Sequence, residues 1–120
     1  MISPKRLLLA LPAAFLAAAP ASAGTPPPAF ATCRACHAVA PGPSLIGPSL
    51  FGVYGRKAGA VPGFAYSDAF KKLKLSWDDA TLDKWLTNPM TMAPGTRMAY
   101  PGIADPAQRK AVIAYLKTLR

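Results

Sequence analysis

A chain of 120 residues has room for one domain, and its 14 lysines and arginines against 5 acidic residues set a formal charge of +9. Two cysteines and one histidine are too few to close a four-ligand zinc site without a carboxylate. No basic run exceeds two residues, which argues against nucleic acid as a partner.

The first 23 residues read as a cleaved secretory signal peptide. Lys5 and Arg6 form its positive start, Leu7 to Ala19 its apolar run, and Ala21-Ser22-Ala23 a small-residue cleavage site. Thirteen apolar residues are too few to cross a bilayer, which takes about 20. Cleavage after Ala23 leaves a domain over residues 24–120, in the periplasm, with 12 basic residues against 5 acidic ones, a charge of +7. Such a balance suits an acidic protein partner or peripheral contact with an anionic membrane surface, and equally plain solubility.

Pro26-Pro27-Pro28 can stand only in the first turn of a helix, so a short helix begins near Pro28 and carries Cys33-Arg34-Ala35-Cys36-His37 on its last turns. Positions 33, 36 and 37 then share one face. Two thiols and an imidazole so placed are what covalent haem attachment needs: each thiol adds to a porphyrin vinyl group, and the histidine reaches the iron. A redox dithiol, a disulfide and a zinc half-site are the competing readings of the cysteine pair. A porphyrin would also supply core material that 97 residues lack, so the chain without haem is expected to be largely unfolded.

Residues 41–62 are rich in glycine and proline, without helical period, and read as a loop long enough to wrap something. Ser67 caps a short helix from Asp68, with Lys71 and Lys72 outward. Another helix starts near Asp78 or Asp79, faces Leu82, Trp85 and Leu86 inward, and stops at Asn88-Pro89. Residues 90–102 read as loop. The last helix is capped by Asp105, has Pro106 first inside, and has Gln108 at capping-box spacing. Val112, Tyr115, Leu116 and Leu119 form its buried stripe, with Arg109, Lys110 and Lys117 facing water. With no alternating strand pattern, the domain is all-α, three to five helices joined by long loops.

His37 is the sole histidine, so the far side of a haem iron is left to methionine, lysine, an amine terminus or an open position. Met98 is the favoured ligand, because Pro94-Gly95-Thr96-Arg97-Met98 is a stiff loop able to deliver a thioether to a fixed point. Met90 and Met92 follow a helix end and read as apolar cover.

Beyond the haem motif, the chain carries Gly47-Pro48-Ser49-Leu50, Gly52-x-x-Gly55-Arg56-Lys57, Pro62-Gly63-Phe64-x-Tyr66, Trp77, Asn88-Pro89 and Pro94-Gly95-Thr96-Arg97-Met98. In this ordered set it resembles the class I cytochromes c, in particular their mitochondrial and alphaproteobacterial branch, over nearly the whole mature chain. The resemblance implies the small cytochrome c fold, with loops wrapped around one haem c bonded through Cys33 and Cys36, and His37 and Met98 on the iron. It implies that the Pro48 carbonyl accepts the second ring N–H of His37. It also implies that Arg56, Tyr66 and Trp77 hold a buried haem propionate, with Thr96 adding a hydroxyl. Trp85 and Phe70 replace a tyrosine and an asparagine common in the family, making the distal side less polar and shifting the potential. Met90-Thr91 replaces a lysine pair that many members use for docking. Phe30 lies one residue closer to Cys33 than the usual aromatic, leaving its packing on Tyr115 or Leu116 open.

The expected function is a soluble monomeric one-electron carrier rather than an enzyme. By resemblance, its donor is a quinol–cytochrome c reductase (the bc1 complex), and its acceptor a terminal oxidase, a photosynthetic reaction centre or a periplasmic redox enzyme. Arg34 and Arg97 flank the exposed haem edge and, with Lys57, Lys71, Lys72 and Lys84, steer weak, salt-dependent encounters. The alternatives are a haem enzyme or small-ligand binder with a displaceable Met98, which lacks any distal acid–base residue, and a haem-free dithiol protein.

Overall fold

The computed structural model describes residues 22–120 together with 1, 3, 4 and 7–14. Lys5, Arg6, Ala21 and part of the apolar run of the expected leader lie outside the described residues.

A 3₁₀ turn, Pro28–Phe30, passes directly into α1, Ala31–Arg34. The other helices are α2 (Asp68–Lys71), α3 (Asp79–Thr87), α4 (Pro89–Met92) and α5 (Pro106–Leu116). Among the described residues there is no strand. An isolated bridge pairs Lys57 with Ser76 and ties the long loop to the segment entering α3.

Local chemistry explains the helix starts. The Ser67 hydroxyl accepts from the Phe70 N–H at 3.1 Å. Asp78 and Thr81 form a reciprocal capping box, each side chain bonded to the other's backbone N–H at 2.8 Å. Asp105 accepts from the Ala107 N–H at 2.9 Å. Gln108 does not close a box at α5: the Asp105 carboxylate is taken up one residue earlier than that spacing requires.

Residues 90–102 are not all loop. Asn88, which ends α3, also caps α4 by accepting from the Thr91 N–H at 3.2 Å, and Pro89 enters that new turn where a missing N–H costs nothing. The same Asn-Pro pair that stops one helix therefore starts the next.

The core lies where α3, α5 and the first turn meet. Phe30, fully buried, packs edge-to-face on Tyr115 with ring centroids 4.7 Å apart, and Leu116 lies in the same buried cluster. Leu82, Trp85 and Leu86 from α3 meet Val112, Tyr115, Leu116 and Leu119, as the periodicity requires, and Ile113 is buried beside them.

Arg109 does not face water. Its side chain, 11% exposed, pairs with Asp83 at 2.7 Å and donates to the carbonyls of Ile103 and Ala104 at 2.8 and 3.0 Å. One guanidinium thereby joins α3, α5 and the chain entering α5. Lys117 is half-exposed and pairs with Asp79 at 2.7 Å, an open pair that contributes little to stability. Met92 packs on the core, whereas Met90 is exposed and is not apolar cover.

Candidate functional site

One wall of the site grows out of α1. The N–H groups of Cys36 and His37 both donate to the Cys33 carbonyl, at 3.2 and 3.0 Å, so the turn continues through the pentapeptide. Both thiols are free, Cys33 buried and Cys36 half-buried, and burial pushes the Cys33 thiol above its ordinary range. His37 Nδ1 lies 2.7 Å from the Pro48 carbonyl oxygen. That oxygen can only accept, so Nδ1 carries the proton and Nε2 presents its lone pair. Burial lowers the His37 pKa, the Pro48 bond works against this, and Arg56 adds to the lowering, which keeps the ring neutral at pH 7.

Gly47 makes this geometry possible. A Cβ there would overlap His37 Cε1 and lie 2.7 and 2.9 Å from Nδ1 and Nε2. The imidazole therefore passes against bare backbone, itself held by the Gly47 N–H bond to the Cys36 carbonyl at 2.8 Å.

A second limb runs from α4 to α5. Thr96 N–H donates to Ala93 O at 2.9 Å, the Thr96 hydroxyl accepts from the Met98 N–H at 3.4 Å, and Tyr100 N–H donates to Met98 O at 2.9 Å. Arg97 reaches Ala65 O at 2.6 Å, and Thr32, beside Cys33, donates to the Tyr100 hydroxyl at 3.3 Å. Met98 is half-buried against the core.

Arg56 is half-buried and spends two N–H groups on the carbonyls of Phe51 and Ser49, both at 3.1 Å, so it braces its own loop. Burial lowers its pKa, with Tyr66 pulling less strongly the other way. The Tyr66 oxygen accepts from the Val61 N–H at 3.1 Å, leaving its own proton to give. Trp77 is joined to Arg56 through its backbone, N–H to O at 2.9 Å, and its side chain is buried.

Sequence reasoning missed an aromatic cluster behind these donors. Tyr66 stacks on Phe70 at 5.0 Å, Phe70 meets Trp85 edge-on at 5.3 Å, and Trp85 meets Trp77 at 5.7 Å, with Phe64 on Tyr66 at 4.8 Å. The rings are scattered over residues 64–85 and come from loops as well as helices, so no periodicity announces them. Phe70 sits at the centre, joining the propionate candidates Tyr66 and Trp77 to Trp85 of α3.

The residues fit a haem. Among the described residues no three His, Cys, Asp or Glu side chains gather on one point, so Cys33, Cys36 and His37 are not set to chelate a bare ion. They offer instead two free thiols, one imidazole lone pair and, from another limb, a thioether. The Tyr66 hydroxyl, whose oxygen accepts from Val61 and whose proton is left to give, suits an acidic group held beside these rings.

Comparison with known proteins points to one family. Residues 28–120 match the family model described as Cytochrome c. Cytochrome c2 iso-2 of Magnetospirillum fulvum is 53% identical over 93 residues, 78% of this chain and 97% of that one. Cytochrome c2 of Rhodoblastus acidophilus is 47% identical over 92 residues, 76% of this chain and 86% of its own. The solved structure of cytochrome cH from Methylobacterium extorquens superposes with a TM-score of 0.70 at 50% identity, covering 75% of this chain and 91% of that one.

Proposed function

The chain belongs to the cytochrome c family and carries electrons on one covalent haem c, and from that premise we propose a periplasmic shuttle whose iron is gripped by His37 and Met98. The observation that carries the reading is the His37–Pro48 bond, which commits Nδ1 and leaves Nε2 as the only imidazole donor in the molecule.

When bound, the haem supplies a one-electron couple at iron. The chain's residues do the rest. Cys33 and Cys36 hold the macrocycle. Pro48 fixes the imidazole in one tautomer and increases its donor strength. Thr96 and Tyr100 set the backbone on either side of Met98. Arg56, Tyr66 and Trp77 present charge and N–H or O–H donors to a propionate, and the ring cluster around Phe70 keeps water away.

The Gly24 N–H donates to the Thr118 hydroxyl at 2.8 Å, so the packed domain begins where the leader is read to end. This supports cleavage after Ala23, and exported protein is expected to show an intact mass lacking residues 1–23; retention of the leader would contradict it.

The proposed donor is a quinol-oxidising bc1 complex, and the proposed acceptor a terminal oxidase, a reaction centre or a periplasmic redox enzyme. Exposed Arg34, Arg97, Lys57, Lys71, Lys72 and Lys84 supply attraction to acidic patches. Purified haem-loaded protein is expected to accept electrons from a bc1 complex at a rate that falls steeply as ionic strength rises. A rate indifferent to salt contradicts electrostatic steering.

A further inference from the structure

The loop over residues 40–50 ends in an apolar tip. Leu45 and Ile46 are 57% and 80% exposed. Outside the leader, only Tyr54 and Met90 join them as large exposed apolar side chains among the described residues. Single exposed aliphatics are ordinary on a protein surface. A consecutive pair on a stiffened tip is not that background.

The stiffness has visible causes. Pro41, Pro43 and Pro48 each fix a φ angle. Three bonds clamp the loop's flanks: Gly47 N–H to Cys36 O at 2.8 Å, Ser49 hydroxyl to Ala40 O at 2.9 Å, and Leu50 N–H to Ala38 O at 2.9 Å. The Gly47 bond sets the pair beside the haem-attachment residues, and Gly47 backbone lies against His37.

Charge narrows the occupant. No acidic residue occurs from Gly24 to Ser67, and Arg34, two residues before Cys36, is exposed. Of the five acids, Asp79 and Asp83 are tied to Lys117 and Arg109, Asp78 and Asp105 cap helices, and Asp68 stands in the first turn of α2. A partner seated here meets an apolar point in a stretch whose only charges are positive.

We propose that Leu45 and Ile46 are the apolar anchor of the docking face, inserting into a nonpolar recess on an acidic electron-transfer protein. The inference rests on the carrier reading and adds the element that sets residence time. Charge brings the partner in, and the tip, already ordered, gains contact area at little entropic cost.

The test is the double variant L45S/I46S beside Arg34→Gln, in the haem-loaded protein. The probes are a purified alphaproteobacterial quinol–cytochrome c reductase, hexacyanoferrate, and phosphatidylglycerol vesicles. L45S/I46S is expected to lower the bimolecular rate constant with the reductase at high salt by about tenfold. Its salt slope and its rate with hexacyanoferrate stay as in the wild type. Arg34→Gln is expected to flatten the slope instead. A high-salt rate within about twofold of wild type overturns the anchor. So does loss of vesicle binding with the reductase rate intact, which would make the tip a lipid contact, or loss of a self-association seen in the wild type. A wild type that exchanges electrons with hexacyanoferrate but with the reductase at no salt concentration overturns the partner reading itself, and the anchor with it.

Discussion

Replacing Met98 by alanine is expected to lower the midpoint reduction potential by on the order of a few tenths of a volt. The sulfur of a neutral thioether favours ferrous iron, and its loss removes that preference. His37 is the only histidine, so no second imidazole can move in. Water or hydroxide would fill the position and favour the ferric state. The thioether bonds at Cys33 and Cys36 would survive, so the protein stays red while its spectrum changes to that of a weakly ligated haem. Redox titration followed by absorbance checks this. Met92, half-buried on α4, is the natural rival ligand, and Met92→Ala is expected to leave the potential near that of the wild type. If Met92→Ala produced the large fall and Met98→Ala did not, the assignment would be reversed.

The second large effect is expected at Gly102, where the Met98 limb crosses the end of α3. Its φ is +100°, and a Cβ there would overlap the Thr87 carbonyl oxygen and lie 2.6 Å from Thr87 C and 2.9 Å from Leu86 O. These are backbone atoms of a helix whose Leu86 carbonyl also receives the Ile103 N–H at 2.7 Å, so neither side can yield cheaply. Gly102→Ala therefore combines a disfavoured φ with a backbone clash, at a cost of at least about 3 kcal/mol. For a domain of this size, that is a fall in Tm on the order of 15 °C. Gly63→Ala is the control. Its φ of +77° is similarly disfavoured, but nothing lies within 4 Å of the added carbon, so only the conformational cost of about 1 kcal/mol remains. Thermal denaturation of both haem-loaded variants, followed by far-UV circular dichroism, separates the two terms. Equal shifts would mean that the crossing at Thr87 is not tight.

Where local chemistry decides structure, the sequence is a sufficient guide. Ser67, Asp78 and Asp105 cap because each places a side-chain oxygen over unpaired N–H groups within three residues of itself. The stripe on α5 follows from the period of the helix. The haem-binding pentapeptide, likewise, is readable because its geometry is confined to one turn. What could not be read depends on distant partners. Arg109 looks like an exposed helix residue until Asp83, 26 positions earlier, and the Ile103 carbonyl are brought to it. The ring cluster joins loop residues to α3, and neither alternation nor a 3.6-residue period connects Phe64 to Trp85. The α4 turn was hidden because Asn88-Pro89 reads as a stop, although the same two residues make a good start. Arg56, by resemblance a propionate ligand, also braces the carbonyls of Ser49 and Phe51, a use that appears only once the loop is folded.

Iron-edge X-ray absorption of the haem-loaded protein, in the ferric and ferrous states, tests the central claim most directly. The account predicts one sulfur and one imidazole nitrogen on iron beyond the porphyrin's own nitrogens, in both states, with the sulfur lost in Met98→Ala. An oxygen or amine nitrogen where the sulfur is expected, or a vacant position in either state of the wild type, would contradict it.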